Sequence, residues 1–269
     1  MSVMKKRMMI AAALACAAML GAAGITGIAA RHVSTERVDD WRMQAMSTHQ
    51  PLAVWCLRVA EAAGNPAARL ALAHVLIASA DTGDVRHGVD LLRQAARLGN
   101  ARAQLQLGKL LLKGQPGIDV DYVESRHWLM KAAPKGPVNL PAVVREAPDL
   151  DDNPAGFAAL YLASIYRNGY GVARNRQLAF YWLNRAALAG VPQAQFQLAN
   201  VYREDGIVPR DDARALHWLT LASEAELAEA NLALAIAYKN GELGLTADND
   251  RYWSYVKETA HDYKHTVVH

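Results

Sequence analysis

The sequence predicts an all-α fold, a short right-handed α/α solenoid of about five helix pairs. Three observations predict it. Ala makes up about a fifth of the 269 residues, whereas Phe occurs only 3 times. That balance suits closely packed helices and argues against a β-sandwich or barrel, which would want many β-branched and aromatic positions. A Leu followed by a small residue recurs at Leu72-Ala73, Leu107-Gly108, Leu162-Ala163, Leu198-Ala199 and Leu234-Ala235, at intervals of 35, 55, 36 and 36. A second series of large residues, Leu91, Trp128, Trp182, Trp218 and Trp253, keeps nearly the same intervals and stretches at the same place.

The N-terminus comes first in the chain. Lys5, Lys6 and Arg7 precede a charge-free stretch over residues 8–30. This reads as a secretory signal peptide or a membrane anchor, with small residues near its end suiting cleavage. Cys16 follows Ala13-Leu14-Ala15, a faint lipoprotein-type context. Each alternative leaves the basic end in the cytoplasm and exports the body, to the periplasm or held at the inner membrane. Membrane contact is then expected only through residues 8–30, if they are retained. Residues 31–50 read as a linker. The apolar run Leu52–Gly64 reads as an orphan second helix that caps the repeats.

The repeat body is expected over 51–261, with units near 65–100, 101–136, 155–190, 191–226 and 227–261. In the first helix of each unit an Ala stands four residues before the Leu (Ala68, Ala103, Ala158, Ala194, Ala230). A Leu or Tyr stands four after it (Leu76, Leu111, Tyr166, Tyr202, Tyr238). This spacing marks one apolar helix face. The small residue after the Leu lets a second helix approach, and the aromatic residues fill the remaining space. One helix pair cannot bury both of its faces, so it stacks on a neighbour. The expected core is Leu107, Gly108, Trp128, Leu162, Tyr166, Trp182, Leu198, Tyr202, Trp218, Leu234, Tyr238 and Trp253. The long interval reflects an insertion at 134–154 with five Pro and the acidic residues Glu146, Asp149, Asp151 and Asp152. It cannot be continuous helix. It reads as a surface loop or a contact surface. Residues 262–269 read as a tail.

The turn Tyr166-x-x-Gly169-x-Gly171-Val172, followed by Ala179-x-x-Trp182-x-x-x-Ala186-Ala187-x-x-Gly190, resembles the Sel-one-like repeat. That family is related to the tetratricopeptide repeat and has a longer loop between its helices. The resemblance covers roughly 65–261 and implies a protein–protein interaction scaffold of the kind that assembles envelope, secretion or polysaccharide machinery. Some exported members carry a cysteine pair in each repeat. Those pairs are missing here, which argues against that subfamily and its penicillin-binding activity.

Charge and motifs narrow the function further. Formal net charge is +3, and Lys5, Lys6 and Arg7 account for it. A balanced body lacks the basic excess that nucleic-acid binding requires. The chain lacks a nucleophile-elbow, zincin, P-loop or dinucleotide-binding motif, so an enzyme is not expected, nor is a cofactor or metal. His261 and His265 stand four apart, the spacing of a helical metal pair, but without a third ligand nearby they read as solvated. Glu204, Asp205, Asp211 and Asp212 read as loop and helix N-terminal charges. Cys56 sits in an apolar run and reads as a buried, inert thiol, since two cysteines make no disulfide framework.

In the related tetratricopeptide solenoids the first helix of each unit lines the ligand groove. Carrying that over by offset places Arg167, Asn168, Asn200, Arg203, Lys239 and Asn240 along one strip. Such residues suit an extended acidic peptide or a chain-terminal carboxylate. The same residue types also suit an ordinary solvated helix face. The reading is an exported protein-interaction scaffold or adaptor in a bacterial envelope. Its alternative is a cell-wall or glycan-processing enzyme or accessory protein.

Overall fold

The computed structural model describes residues 27–47, 50–135, 153–204 and 206–266. The expected leader and most of the Pro-rich insertion lie outside them. The described residues form thirteen α-helices and no strand. This is the α/α solenoid class, about five repeats long. Two compact units divide at residue 121.

The first unit contains α1 (Gly27–Arg31), α2 (Thr35–Ser47), α3 (Pro51–Ala62), α4 (Pro66–Ile77), α5 (Thr82–Arg97) and α6 (Ala101–Lys113). Residues 31–50 are not a linker, because α2 occupies most of them. Its Val38, Trp41 and Ala45 fall at helical spacing and are buried, Trp41 at 2% exposure. The Leu52–Gly64 segment is therefore no orphan: α3 packs on α2 as well as on α4. Asn65 locks this junction. Its side-chain oxygen accepts the Ala68 N–H at 3.0 Å, capping α4. Its amide donates to the Arg31 and Val33 carbonyls at 3.1 and 3.0 Å. Cys56 is buried, as the apolar run suggests. The chain's other cysteine, Cys16, lies outside the described residues.

The second unit contains α7 (Tyr122–Ala132), α8 (Pro154–Asn168), α9 (Arg176–Leu188), α10 (Pro192–Arg203), α11 (Asp212–Glu224), α12 (Ala228–Asn240) and α13 (Asn249–Thr266). Its core is built from Leu183, Val191, Leu198, Trp218, Leu219 and Leu234. Alanines at 159, 186, 194, 199, 222 and 230 let the helices approach closely between them. The loop inside each helix pair closes in one register. The N–H groups of Asn175, Asp211 and Asp248 donate to the carbonyls of Tyr166, Tyr202 and Tyr238 at 2.9, 2.8 and 2.8 Å. The same three residues cap the next helix, accepting the N–H of Leu178, Arg214 and Arg251 at 2.9 Å each. Gly169 ends α8 in the left-handed conformation, φ 79°, which a side chain disfavours. Gly171 is needed for space as well: a Cβ there would lie 2.6 Å from the Cβ of Tyr122.

Polar clamps hold successive helix pairs together. Gln104 donates to the Ala96 carbonyl at 3.0 Å, and Gln195 to the Ala187 carbonyl at 3.3 Å. Asn231 bonds the Ser223 hydroxyl. Each bond spans eight residues, from the end of a second helix to the next first helix. All three clamp residues are buried. They stand three residues before the repeat Leu.

Burial differs along the aromatic series. Leu107, Gly108, Leu162, Leu198, Leu234, Trp128, Trp218 and Tyr202 are buried. Tyr166, Trp182 and Tyr238 are only half-buried. Trp253 is 56% exposed and is not core. It stands five residues after the capping Asp248, whereas Trp182 and Trp218 stand seven after Asn175 and Asp211; Tyr255 takes the seventh place and packs on the core. The α13 helix also runs to Thr266, into the stretch expected as a tail.

Candidate functional site

The candidate strip lies on α8, α10 and α12, the first helices of three consecutive pairs. A 36-residue period brings Arg167, Arg203 and Lys239 to equivalent positions near their C-terminal ends. Their environments are not equivalent. Arg167 is exposed and donates to the side-chain oxygen of Gln197 on α10 at 3.3 Å. Arg203 donates to Glu242 at 3.3 Å, just beyond the end of α12, and to Asn200 at 3.4 Å. Lys239 lies over the Tyr252 ring at 5.2 Å. Asn168 donates to Ser164 on its own helix at 3.1 Å, and Asn240 donates to Glu242 at 2.9 Å. Each of the expected residues thus already has a contact within the protein.

Two recesses adjoin Arg203. One, of about 270 Å³, lies between α10 and α12 and is lined by Phe196, Leu232, Ala233 and Ile236, with Arg203 and Glu229 at its polar side. The other, of about 410 Å³, is lined by Asn200, Arg203, Glu204, Arg210, Glu242 and Leu243. Leu232 and Ile236 stand four apart on one helix face and are 45% and 42% exposed. Phe196 and Leu232 stand one period apart and share a repeat position with Leu160. Sequence reasoning missed this apolar row because it sought charged and amide residues. The recurrence of Leu160, Phe196 and Leu232 was the available signal.

Electrostatics in the strip are mixed. Glu204, Glu229 and Glu242 stand among the cations. Arg210 donates to both carboxylate oxygens of Asp212, at 2.8 and 3.2 Å. That hydrogen bonding, aided by the charges of Arg210 and Arg203, holds the Asp212 carboxyl below the usual carboxylate range. Among the described residues no three His, Cys, Asp or Glu gather as metal ligands. The side chains of His261 and His265 fall outside the described part.

The Sel1 repeat family matches this sequence at residues 80–100, 101–136, 156–191, 192–227 and 228–251, more than half of the chain. The chain belongs to the Sel1 repeat family. A Sel1 repeat protein from Oxalobacter formigenes has a similar crystal structure, with a TM-score of 0.68 and 24% identity over 87% of this chain. This Sel1 chain spans 64% of the length of that protein. An immunity protein from Pseudomonas aeruginosa is similar with a TM-score of 0.50 and 17% identity, over 85% of this chain and 82% of its own. These likenesses show the fold. No curated protein matches the sequence. Sel1 repeat proteins are protein-interaction scaffolds. Among the described residues no helix is long and apolar enough to cross a membrane. The expected signal or anchor at 1–30 falls almost wholly outside those residues.

Proposed function

We propose that this Sel1 repeat chain is an exported scaffold or adaptor that assembles or regulates a bacterial envelope or secretion complex. Its partner is a protein, engaged through an extended segment laid along α8, α10 and α12. The observation that carries this reading is the apolar recess beside Arg203. Leu232 and Ile236 are exposed there beside Phe196 and Ala233, an apolar patch with Arg203 and Glu229 at its edge. Arg167, Asn168, Asn200, Arg203, Lys239 and Asn240 surround it with donors for a backbone or a carboxylate. The basic start and charge-free stretch of residues 5–30 support export.

The test is loss of a crosslinked complex from intact cells. Ile236→Glu, and separately charge reversal at Arg167 and Arg203 together, should each reduce recovery of the complex at least tenfold. Circular dichroism should show wild-type helix content for both. Undiminished recovery from both variants would contradict the groove. Protease added to spheroplasts should digest the body of the protein; protection until lysis would contradict export.

A further inference from the structure

The two arginines on the strip differ in one respect that points to a ligand. Arg203 reaches across to the next pair and takes a carboxylate, Glu242, from the turn after α12. Glu242 stands four residues after Tyr238. The same place in the preceding pair, four residues after Tyr202, is Gly206. A Cβ on Gly206 would meet nothing within 4 Å, so the space is open. Among the described residues no carboxylate pairs with Arg167, one period before Arg203. Its partner there is the side-chain amide of Gln197, which carries no charge. Ala233 replaces Gln197 one period on, within the apolar recess. Among the described residues the strip therefore presents a cation without a paired carboxylate between α8 and α10 and an apolar seat between α10 and α12.

We propose that the partner segment is extended and carries two anchors. A large apolar side chain seats against Phe196, Leu232 and Ile236. A carboxylate pairs with Arg167, in the manner in which Glu242 pairs with Arg203 one repeat later. Neighbouring helices pack about 8–10 Å apart. An extended chain advances about 3.3 Å per residue. The apolar and acidic residues of the segment therefore stand about three positions apart. Glu242 acts as an internal competitor that holds Arg203 away from the same segment. The inference rests on the groove proposed above and specifies what that groove selects.

The experiment uses the full chain and short fluorescent Gly/Ser peptides. One peptide carries Leu and Glu about three positions apart; the second has Gln in place of Glu; the third has Ser in place of Leu. The first should bind about tenfold more tightly than the other two. G206E supplies the missing internal carboxylate and should lower affinity for the Leu/Glu peptide about tenfold, leaving the Leu/Gln peptide unaffected. G206Q has the same shape without the charge and should leave all three affinities unchanged. Glu242→Gln should raise affinity for the Leu/Glu peptide by severalfold. Equal binding of the Leu/Glu and Leu/Gln peptides would overturn the carboxylate anchor while leaving the apolar groove standing. Equal losses in G206E and G206Q would also overturn it, since they would report a disturbed loop. Failure of every peptide to bind would overturn the groove and the inference together.

Discussion

Trp218, Trp182 and Trp253 belong to one recurring aromatic series, yet they meet three environments. Trp218 is buried, Trp182 half-buried and Trp253 mostly exposed. Substitution by Ala should follow that order. Trp218→Ala should cost about 3–5 kcal/mol, Trp182→Ala about half as much and Trp253→Ala under about 1 kcal/mol, read from denaturant midpoints. Equal losses at the three would mean that the exposures do not describe the protein in solution. Asn65 offers a second case, because one side chain caps α4 and holds two carbonyls of the preceding segment. Asn65→Ala should cost about 2 kcal/mol by the same measurement. The sequence showed which aromatic residues recur, since spacing survives in a linear string. Trp253 falls two residues short of the place, counted from the helix cap, that Trp182 and Trp218 hold, a shift that intervals of 36 and 35 do not reveal.

At the scale of elements, the helix pairs depend on loops pinned at both ends. Asp211 caps α11 through its side chain and closes the loop through its N–H. It also pairs with Arg214, which lies over the Tyr202 ring at 5.4 Å. Asp211→Ala removes only the side-chain part and should lower stability by about 1–2 kcal/mol. Asp211→Asn should recover most of that. Asp212 adds a pH signature. Its carboxyl sits below the ordinary range in the folded state, so its stabilisation is present above the ordinary carboxylate pKa. It fades as pH falls through the lowered folded value. Asp212→Asn should therefore flatten the acid limb of a stability-against-pH curve, while an unchanged limb would rule out this linkage. The first and second helices were legible from their Ala, Leu and Trp spacing. Helix α2 was not, because Val38, Trp41 and Ala45 form a narrow stripe among charged neighbours and fall outside the period. The clamps at Gln104, Gln195 and Asn231 were overlooked although they keep the repeat offset, since polar residues are not sought in a core.

Across the second unit, the consequence of the repeat is a set of near-equivalent positions that differ in small ways. The candidate strip was legible as far as offsets reach: Arg167, Arg203 and Lys239 stand one period apart along it. The pairing of Arg203 with Glu242 was not legible, because it joins residues 39 apart on different helix pairs. Nor was the recess, which exists only where Phe196 and Leu232 are brought side by side by stacking. The claim that this recess and its arginines form the partner site is tested most directly by photocrosslinking in intact cells. A photoreactive residue at Ile236, in the groove, is compared with one at Tyr181, which is equally exposed but lies on α9, a second helix. A discrete adduct from position 236, with none from 181, is the result expected. An adduct from 181 alone, or equal adducts from both, would contradict the account.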